Sequence, residues 1–249
     1  MHQAHQILLY IHVFIGALAL IIFWVPIATR KGGRWHVQSG KAFVWGMWAV
    51  GISGVIMSVI VWMDPLAIRF PDKEVDPAKA VRFIAHQKMI SEFLFMLSLL
   101  VLHGVKHSIL VLKVKADRQA LKSWHHLGLM IFLLVTALFV GIKGLVQNQI
   151  LLLIFAPIAL LNAINGLRYT FKAQVKQREW IIEHFSNILG CGIAVYTAFF
   201  AFGGRTYFEQ LLPGMWQVLP WVLPGVIGVA MTFLYKPRYQ KKYRVTADS

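Results

Sequence analysis

The chain has 249 residues, of which 58% are hydrophobic and only 14% are charged. A soluble domain carries about 25% charged residues, so this chain has too few polar side chains to cover a water-soluble globule. Its single cysteine, Cys191, excludes an internal disulfide and a cysteine-cluster metal site. The net charge of +15 would favour nucleic acid as the partner of a soluble protein, but here the basic residues lie between long apolar runs.

Seven apolar runs are long enough to cross a bilayer, because a transmembrane helix needs about 20 predominantly apolar residues. They predict an all-α integral membrane protein, a bundle of seven transmembrane helices that forms a single domain over residues 1–249. The first run is interpreted as a retained helix, since no basic segment precedes it and no small-residue cleavage site closely follows it. The predicted spans lie near residues 7–29, 42–63, 89–112, 127–146, 150–169, 185–202 and 213–235.

Three local patterns refine this map of spans. Only residues 147–149 separate the fourth span from the fifth, which predicts a tight turn. Asp76 followed by Pro77 is typical of a helix N-cap with proline at the first helical position, so the third helix is expected to begin outside the membrane. Small residues in the second span are expected to allow close helix packing; they are Gly46, Gly51 and Gly54.

Most of the lysines and arginines lie on one predicted side of the membrane. Alternate connections and the C-terminal tail together hold 17 of the 25 basic residues. The positive-inside rule makes this side cytoplasmic, with the N-terminus outside and the C-terminus inside a cytoplasmic (inner) membrane. Anionic lipid headgroups are then the expected partners of the basic loops, and nucleic acid is not an expected partner. These loops are 30–41, 113–122, 168–178 and 236–244.

A tryptophan and a histidine recur ahead of three spans, and a glycine follows each time. The pattern predicts three related helical hairpins followed by a seventh helix. Tryptophans at such positions are also typical of an aromatic belt at the membrane interface. The three segments are Arg34-Trp35-His36, Ser123-Trp124-His125-His126 and Glu179-Trp180-Ile181-Ile182-Glu183-His184.

The first two spans carry two spaced motifs, His12-x3-Gly16-x-Leu18 and His36-x3-Gly40-Lys41, followed by a second apolar helix. This combination resembles a bacterial family of predicted multi-pass membrane proteins that is defined by a domain of unknown function. The resemblance covers residues 8–60 and, less closely, the helices through His126; Val37 stands where the family often has arginine. It implies a helical membrane fold and supplies no activity.

Most of the ten histidines lie in or beside the predicted helices. Ionisable groups inside a bilayer are costly and usually face a bundle interior, a partner or a cavity. His103 and His107 lie four residues apart on the third span, so both project from one face. Glu92 lies about 20° from His103 around that helix, so with Lys106 they form one polar stripe. The histidines of the predicted inner side are His36, His103, His107, His125, His126 and His184.

This pattern favours a membrane redox protein whose histidines bind haem b or a non-haem metal ion such as iron, copper or zinc. No nucleotide-binding motif is present, so electrons would come from the quinol form of a membrane quinone or from a separate redox partner. Glu92 would assist proton movement. The expected ligands are His103, His107, His126 and His184, with His36 and His125 as alternatives or neighbours of the site, and His12 with His86 as an outer pair.

Three other functions fit the same residues. A transporter or small-molecule-binding protein would line a polar cavity with Glu92, His103, His107, Asn162 and Asn165. A non-haem iron oxygenase is a further alternative, because residues 103–107 and 125–126 resemble two histidine boxes of membrane desaturases, although no H-x2-H-H box occurs. In a membrane assembly factor, the histidines would only pack and hydrogen-bond across helices.

Overall fold

The structure is a computed structural model that describes residues 1–71, 74–200, 211–214, 216 and 219–245. It is all-helical, with 86% of residues in helices and no strand in the ranges just given, which confirms the predicted fold class. Eight α-helices occur in these ranges: α1 His2–Ala28, α2 Arg34–Met63, α3 Pro65–Arg69, α4 Pro77–Val114, α5 Trp124–Val146, α6 Ile150–Phe171, α7 Glu179–Ala198 and α8 Leu219–Lys242.

Five of the described helices are long and apolar enough to cross a membrane: α1, α2, α4, α5 and α6. They coincide with the first five predicted spans. The sixth and seventh predicted spans correspond to α7 and α8, but neither is among these five, so the count of seven spans and the orientation stay predictions. Residues 201–202 of the sixth predicted span, and 215, 217 and 218 of the seventh, lie outside the described residues.

Large apolar side chains cover the outer surfaces of the long helices. Phe14 and Ile21 of α1 are 66% and 68% exposed, and Trp45 of α2 is 74% exposed. Exposing such apolar surfaces to water would cost free energy, whereas contact with lipid chains would not. The described helices are therefore compatible with a multi-pass membrane protein.

Two connections between helices have the local structure that the sequence predicts. The Lys79 backbone N–H donates to Asp76 Oδ1 at 3.0 Å, and Pro77 is the first residue of α4, which confirms the predicted N-cap. The tight turn between α5 and α6 is also confirmed, because α6 begins four residues after α5 ends. Asn148 adopts φ 51° there, a left-handed conformation that asparagine tolerates better than most residues.

The short helix α3 was not predicted from the sequence. Asp64 is both the C-cap of α2 and the N-cap of α3. Its Oδ1 accepts a hydrogen bond from the Ala67 backbone N–H at 3.0 Å. Pro65 occupies the first helical position, where its missing N–H costs nothing. The same cap-and-proline pattern that marks α4 therefore also marks α3.

The chain forms two compact units, and α4, α5 and α6 contribute residues to both. The first unit comprises Met1–Leu102 and Ile131–Ala163. In it, α1 packs against α2, where a Cβ on Gly46 would lie 3.5 Å from Cβ of Ala19. Gly51 of α2 packs directly against Leu102 of α4, since a Cβ there would lie 2.6 Å from that leucine. Gly51 is therefore confirmed as a close-packing position, whereas a Cβ on Gly46 would make an ordinary van der Waals contact.

The second unit comprises His103–Met130 and the described residues of Ile164–Ser249. The C-terminal half of α4 approaches α7 closely, because a Cβ on Gly104 would lie 2.7 Å from Sγ of Cys191. Helix α7 packs against α8 through Phe185 and Tyr239, whose ring centroids lie 5.0 Å apart. Arg118 donates to the Tyr169 carbonyl at 2.9 Å and so caps the C-terminal end of α6.

Candidate functional site: a buried histidine cluster

Three histidine rings lie together in the second unit. Helix α4 contributes His103 and His107, α5 contributes His126, and all three side chains are fully buried. The His107 and His126 rings are almost parallel, 6° apart, with centroids separated by 5.2 Å. The His103 and His107 centroids lie 5.5 Å apart, which confirms that the four-residue spacing places both rings on one face of α4.

A chain of hydrogen bonds links the Glu183 carboxylate to two rings of this cluster. Nε2 of His107 lies 3.0 Å from Oε1 of Glu183 on α7, and Nδ1 of the same ring lies 3.0 Å from Nε2 of His126. An ionised carboxylate only accepts hydrogen bonds, so Nε2 of His107 carries the proton. When His107 is neutral its Nδ1 accepts, and Nε2–H of His126 donates to it. Nδ1 of His126 then carries a lone pair.

The carboxylate end of the chain is held by a second side chain of α7. Asn187 donates through Nδ2 to Oε1 of Glu183 at 3.1 Å and to the Glu183 carbonyl at 2.9 Å. The Glu183 side chain is 21% exposed, whereas the imidazole that it contacts is fully buried. The chain therefore connects a partly exposed group to an enclosed one. Its hydrogen bonds offset the cost of burying polar groups in an apolar environment.

Two polar atoms, one in the cluster and one beside it, are buried and have no hydrogen-bond partner among the described residues. They are Nδ1 of His126 and the hydroxyl of Tyr169. The Tyr169 ring meets His107 edge-on, with a centroid separation of 5.9 Å and an interplanar angle of 86°. A buried polar group without a partner costs about 1–3 kcal/mol. Such groups are uncommon, and a chemical role is one reason to retain them.

The cluster packs directly against the backbone of α6. A Cβ on Gly166 would lie 3.1 Å from Cε1 and Nε2 of His103, and 3.4 Å from Sδ of Met130. A Cβ at this position would require the His103 ring to shift by a few tenths of an ångström. Glycine at position 166 therefore lets the imidazole lie close to the α6 backbone, inside the packed core of the unit.

The other predicted inner ligands make different contacts. His184 donates from Nδ1 to the Ser108 carbonyl at 3.1 Å. His125 is exposed, and its ring contacts Trp124 with centroids 4.6 Å apart. His36 belongs to the first unit and donates to the Pro26 carbonyl at 3.0 Å. The structure thus brings together three of the six inner histidines.

The predicted outer pair is not brought together in the described part of the chain. His12 Nδ1–H donates to Oγ of Ser53 at 2.8 Å, because that hydroxyl already donates to the Ala49 carbonyl. His86 is exposed on α4. On α6, Asn162 is half-buried and Asn165 is exposed.

Metal-ligand convergence is absent from the described residues. No group of three or more His, Cys, Asp or Glu side chains in these ranges is arranged to hold a metal ion. His107 in particular uses both ring nitrogens in hydrogen bonds, with Glu183 and with His126. A ligand nitrogen must offer a lone pair, so His107 would have to give up one of these bonds to bind a metal.

Glu92 lies in the first unit and has partners of its own. Its carboxylate forms an ion pair with Lys143 on α5 and accepts a hydrogen bond from Nε1 of Trp62 at 3.1 Å. The predicted stripe on α4 thus contains two separate arrangements, an ion pair at Glu92 and a hydrogen-bonded chain at His107.

Sequence reasoning missed Glu183, Asn187 and Tyr169 as parts of the site. Glu183 and Asn187 lie four residues apart, so a carboxylate and an amide share one face of α7. That spacing was the available signal. Tyr169 gave none, because a tyrosine near a helix end is common at membrane interfaces.

The chain matches no family model, no curated protein and no solved structure.

Proposed function

We propose that this multi-pass membrane protein transfers protons through the chain formed by Glu183, His107 and His126. The hydrogen-bonded path from a partly exposed carboxylate to a fully buried imidazole carries the proposal. Imidazole suits this role because it can accept a proton on one ring nitrogen and release one from the other. Ionisable groups inside a membrane commonly belong to such relays.

Each transfer conserves protons along the chain. A proton that reaches Nδ1 of His126 lets Nε2–H of that ring pass its proton to Nδ1 of His107. His107 then releases its Nε2 proton to the Glu183 carboxylate, and the acid loses it at the exposed end. Both rings finish in the opposite tautomer, so they must rotate or return a proton before the next transfer.

The membrane setting of this proposal is the cytoplasmic membrane. We propose seven spans, an outside N-terminus, a cytoplasmic C-terminus, and contact of the basic inner loops with anionic headgroups, supported by the lysine and arginine distribution. The two motifs beginning at His12 and His36 support membership of the bacterial family that they resemble. A proton-coupled transporter would use the same relay.

Proton flux into liposomes tests the relay. The purified full chain is reconstituted with a pH-sensitive dye inside, and a potassium diffusion potential drives protons inward. We expect Glu183→Gln and His107→Leu to reduce the flux to that of protein-free liposomes, because glutamine cannot carry the proton and leucine interrupts the path. His125→Gln is the matched control. His125 is next to His126 in the sequence, but its side chain is exposed and takes no part in the hydrogen-bonded path.

Two results would overturn the relay. One is equal flux from the wild type and Glu183→Gln at equal reconstitution. The other is an equal loss in His125→Gln, which would show that the flux does not depend on the hydrogen-bonded path.

A redox centre on the same histidines is a second candidate function. It is supported by Nδ1 of His126, a buried nitrogen that has no hydrogen-bond partner in the described ranges and could offer its lone pair to haem iron or another metal ion. The quinol form of a membrane quinone, or a separate redox partner, would then supply the electrons.

An absorption spectrum with elemental analysis decides this second candidate. A redox centre predicts a Soret band with sharpened reduced bands, or near-stoichiometric iron, copper or zinc in the purified protein. His126→Ala should abolish that signal, while His125→Ala should keep it. A featureless spectrum without metal would overturn the redox centre.

A further inference from the structure

A groove of about 390 Å³ lies in the first unit, where α2, α4 and α5 meet. Its volume falls within the range of about 300–1,000 Å³ that is typical of small-molecule sites. It is separate from the histidine cluster in its residues and in its chemistry. Its walls are formed by Ser58, Val59, Trp62, Ser91, Glu92, Phe95, Val135, Thr136, Phe139 and Val140.

The three hydroxyl groups in the walls are already used. Ser58, Ser91 and Thr136 each donate to the backbone carbonyl four residues earlier in their own helix, at 2.7, 2.8 and 2.7 Å. They therefore have no free O–H to offer a ligand. Apart from Glu92, the walls thus present an apolar surface that suits a hydrocarbon chain.

The polar groups gather at one end of the groove, where two helices end. Trp62 is the last residue but one of α2, and Lys143 lies in the last turn of α5. Both contact the Glu92 carboxylate. The apolar wall residues Val59 and Val135 lie one to two turns farther from those ends. The groove is therefore amphipathic along its length.

This polar end carries a net positive charge. Nζ of Lys88 lies 4.7 Å from the centroid of the Trp62 ring, one helical turn from Glu92 on α4. Lys88 contacts Trp62 and Lys143 contacts Glu92, so two ammonium groups and one carboxylate lie at this end of the groove. Glu92 can neutralise only one of them, so the surplus favours an anionic group.

We infer that the groove binds an anionic phospholipid. One acyl chain lies between α2, α4 and α5, and the phosphate lies beside the ammonium groups of Lys88 and Lys143. The amphipathic walls select a lipid over a free phosphate, and the surplus positive charge selects an anionic headgroup over a zwitterionic one. This site would belong to the opposite side of the membrane from the basic loops, under the proposed orientation.

Lipid retention measures this selectivity. The full-length protein is equilibrated with mixed micelles of phosphatidylglycerol and phosphatidylethanolamine that carry identical acyl chains, and bound lipid is counted by native mass spectrometry. We expect the wild type to retain phosphatidylglycerol preferentially. Lys88→Gln should lower that preference about fivefold, which corresponds to about 1 kcal/mol for one basic side chain near anionic lipid. Lys79→Gln is the matched control, an exposed lysine of the same helix.

A second variant tests the groove without changing its charge. Val135→Trp places an indole ring on the apolar wall of the groove, so it should reduce retention of both lipids while the protein stays monodisperse. Equal retention of the two lipids by the wild type would overturn the inference. An equal response of Lys88→Gln and Lys79→Gln would also overturn it, as would unchanged retention in Val135→Trp.

Discussion

Replacing Lys143 with leucine is expected to lower the free energy of unfolding by about 3 kcal/mol. The variant removes Lys143, the cation that forms an ion pair with Glu92, whose side chain is only 17% exposed. Removing one partner of a buried ion pair costs about 3–5 kcal/mol, and a lone charge in a membrane helix costs a similar amount. The Trp62 N–H compensates only part of the loss. Unfolding with sodium dodecyl sulfate in mixed micelles measures the change.

The double variant Glu92→Leu with Lys143→Leu is the decisive comparison. It removes both charges, so its stability should lie much closer to that of the wild type than the Lys143→Leu variant does. A double-mutant cycle then gives the coupling energy of the pair. If the two replacements were simply additive, the ion pair would not be the source of the effect.

His107→Leu is expected to destabilise the protein by about 2–4 kcal/mol. The leucine cannot replace the hydrogen bonds to Glu183 and His126, so one partly buried carboxylate and one fully buried imidazole lose a partner. Each buried group left in this way costs about 1–3 kcal/mol. The same unfolding assay measures the loss.

His125→Leu serves as the control for His107→Leu. This exposed histidine precedes His126 and takes no part in the chain. Surface replacements of this kind usually change stability by less than about 0.5 kcal/mol. Equal effects of the two variants would show that the hydrogen-bonded chain does not stabilise the second unit.

The helices were predictable because their signals are local. Apolar runs of membrane length predicted α1, α2, α4, α5 and α6, and the pair Asp76-Pro77 predicted where α4 begins. Helix α3 was missed because five residues are too few to give a periodic pattern. Helix α7 is not among the five candidate spans, and Glu179 and Glu183 interrupt its apolar character near its start.

The site was only half predictable, for a physical reason. The pairing of His103 with His107 follows from spacing along one helix, and spacing is visible in a sequence. The pairing of His107 with Glu183 joins residues 76 positions apart and depends on how α4 and α7 are rotated about their axes. The same limit hid the pairing of Glu92 with Lys143.

The separation of Glu92 and Lys143 along the chain has a consequence for biosynthesis. The two residues are 51 positions apart, and α4 is complete before α5 has been made. At about 5–20 residues per second, the carboxylate waits roughly 3–10 s for its cation. Helices α5 and α6 are joined by three residues, so they leave the insertion machinery as one hairpin, and α5 carries Lys143 to Glu92. Until it arrives, Glu92 lacks its ion-pair partner, and Lys88 lies one helical turn away on the same helix.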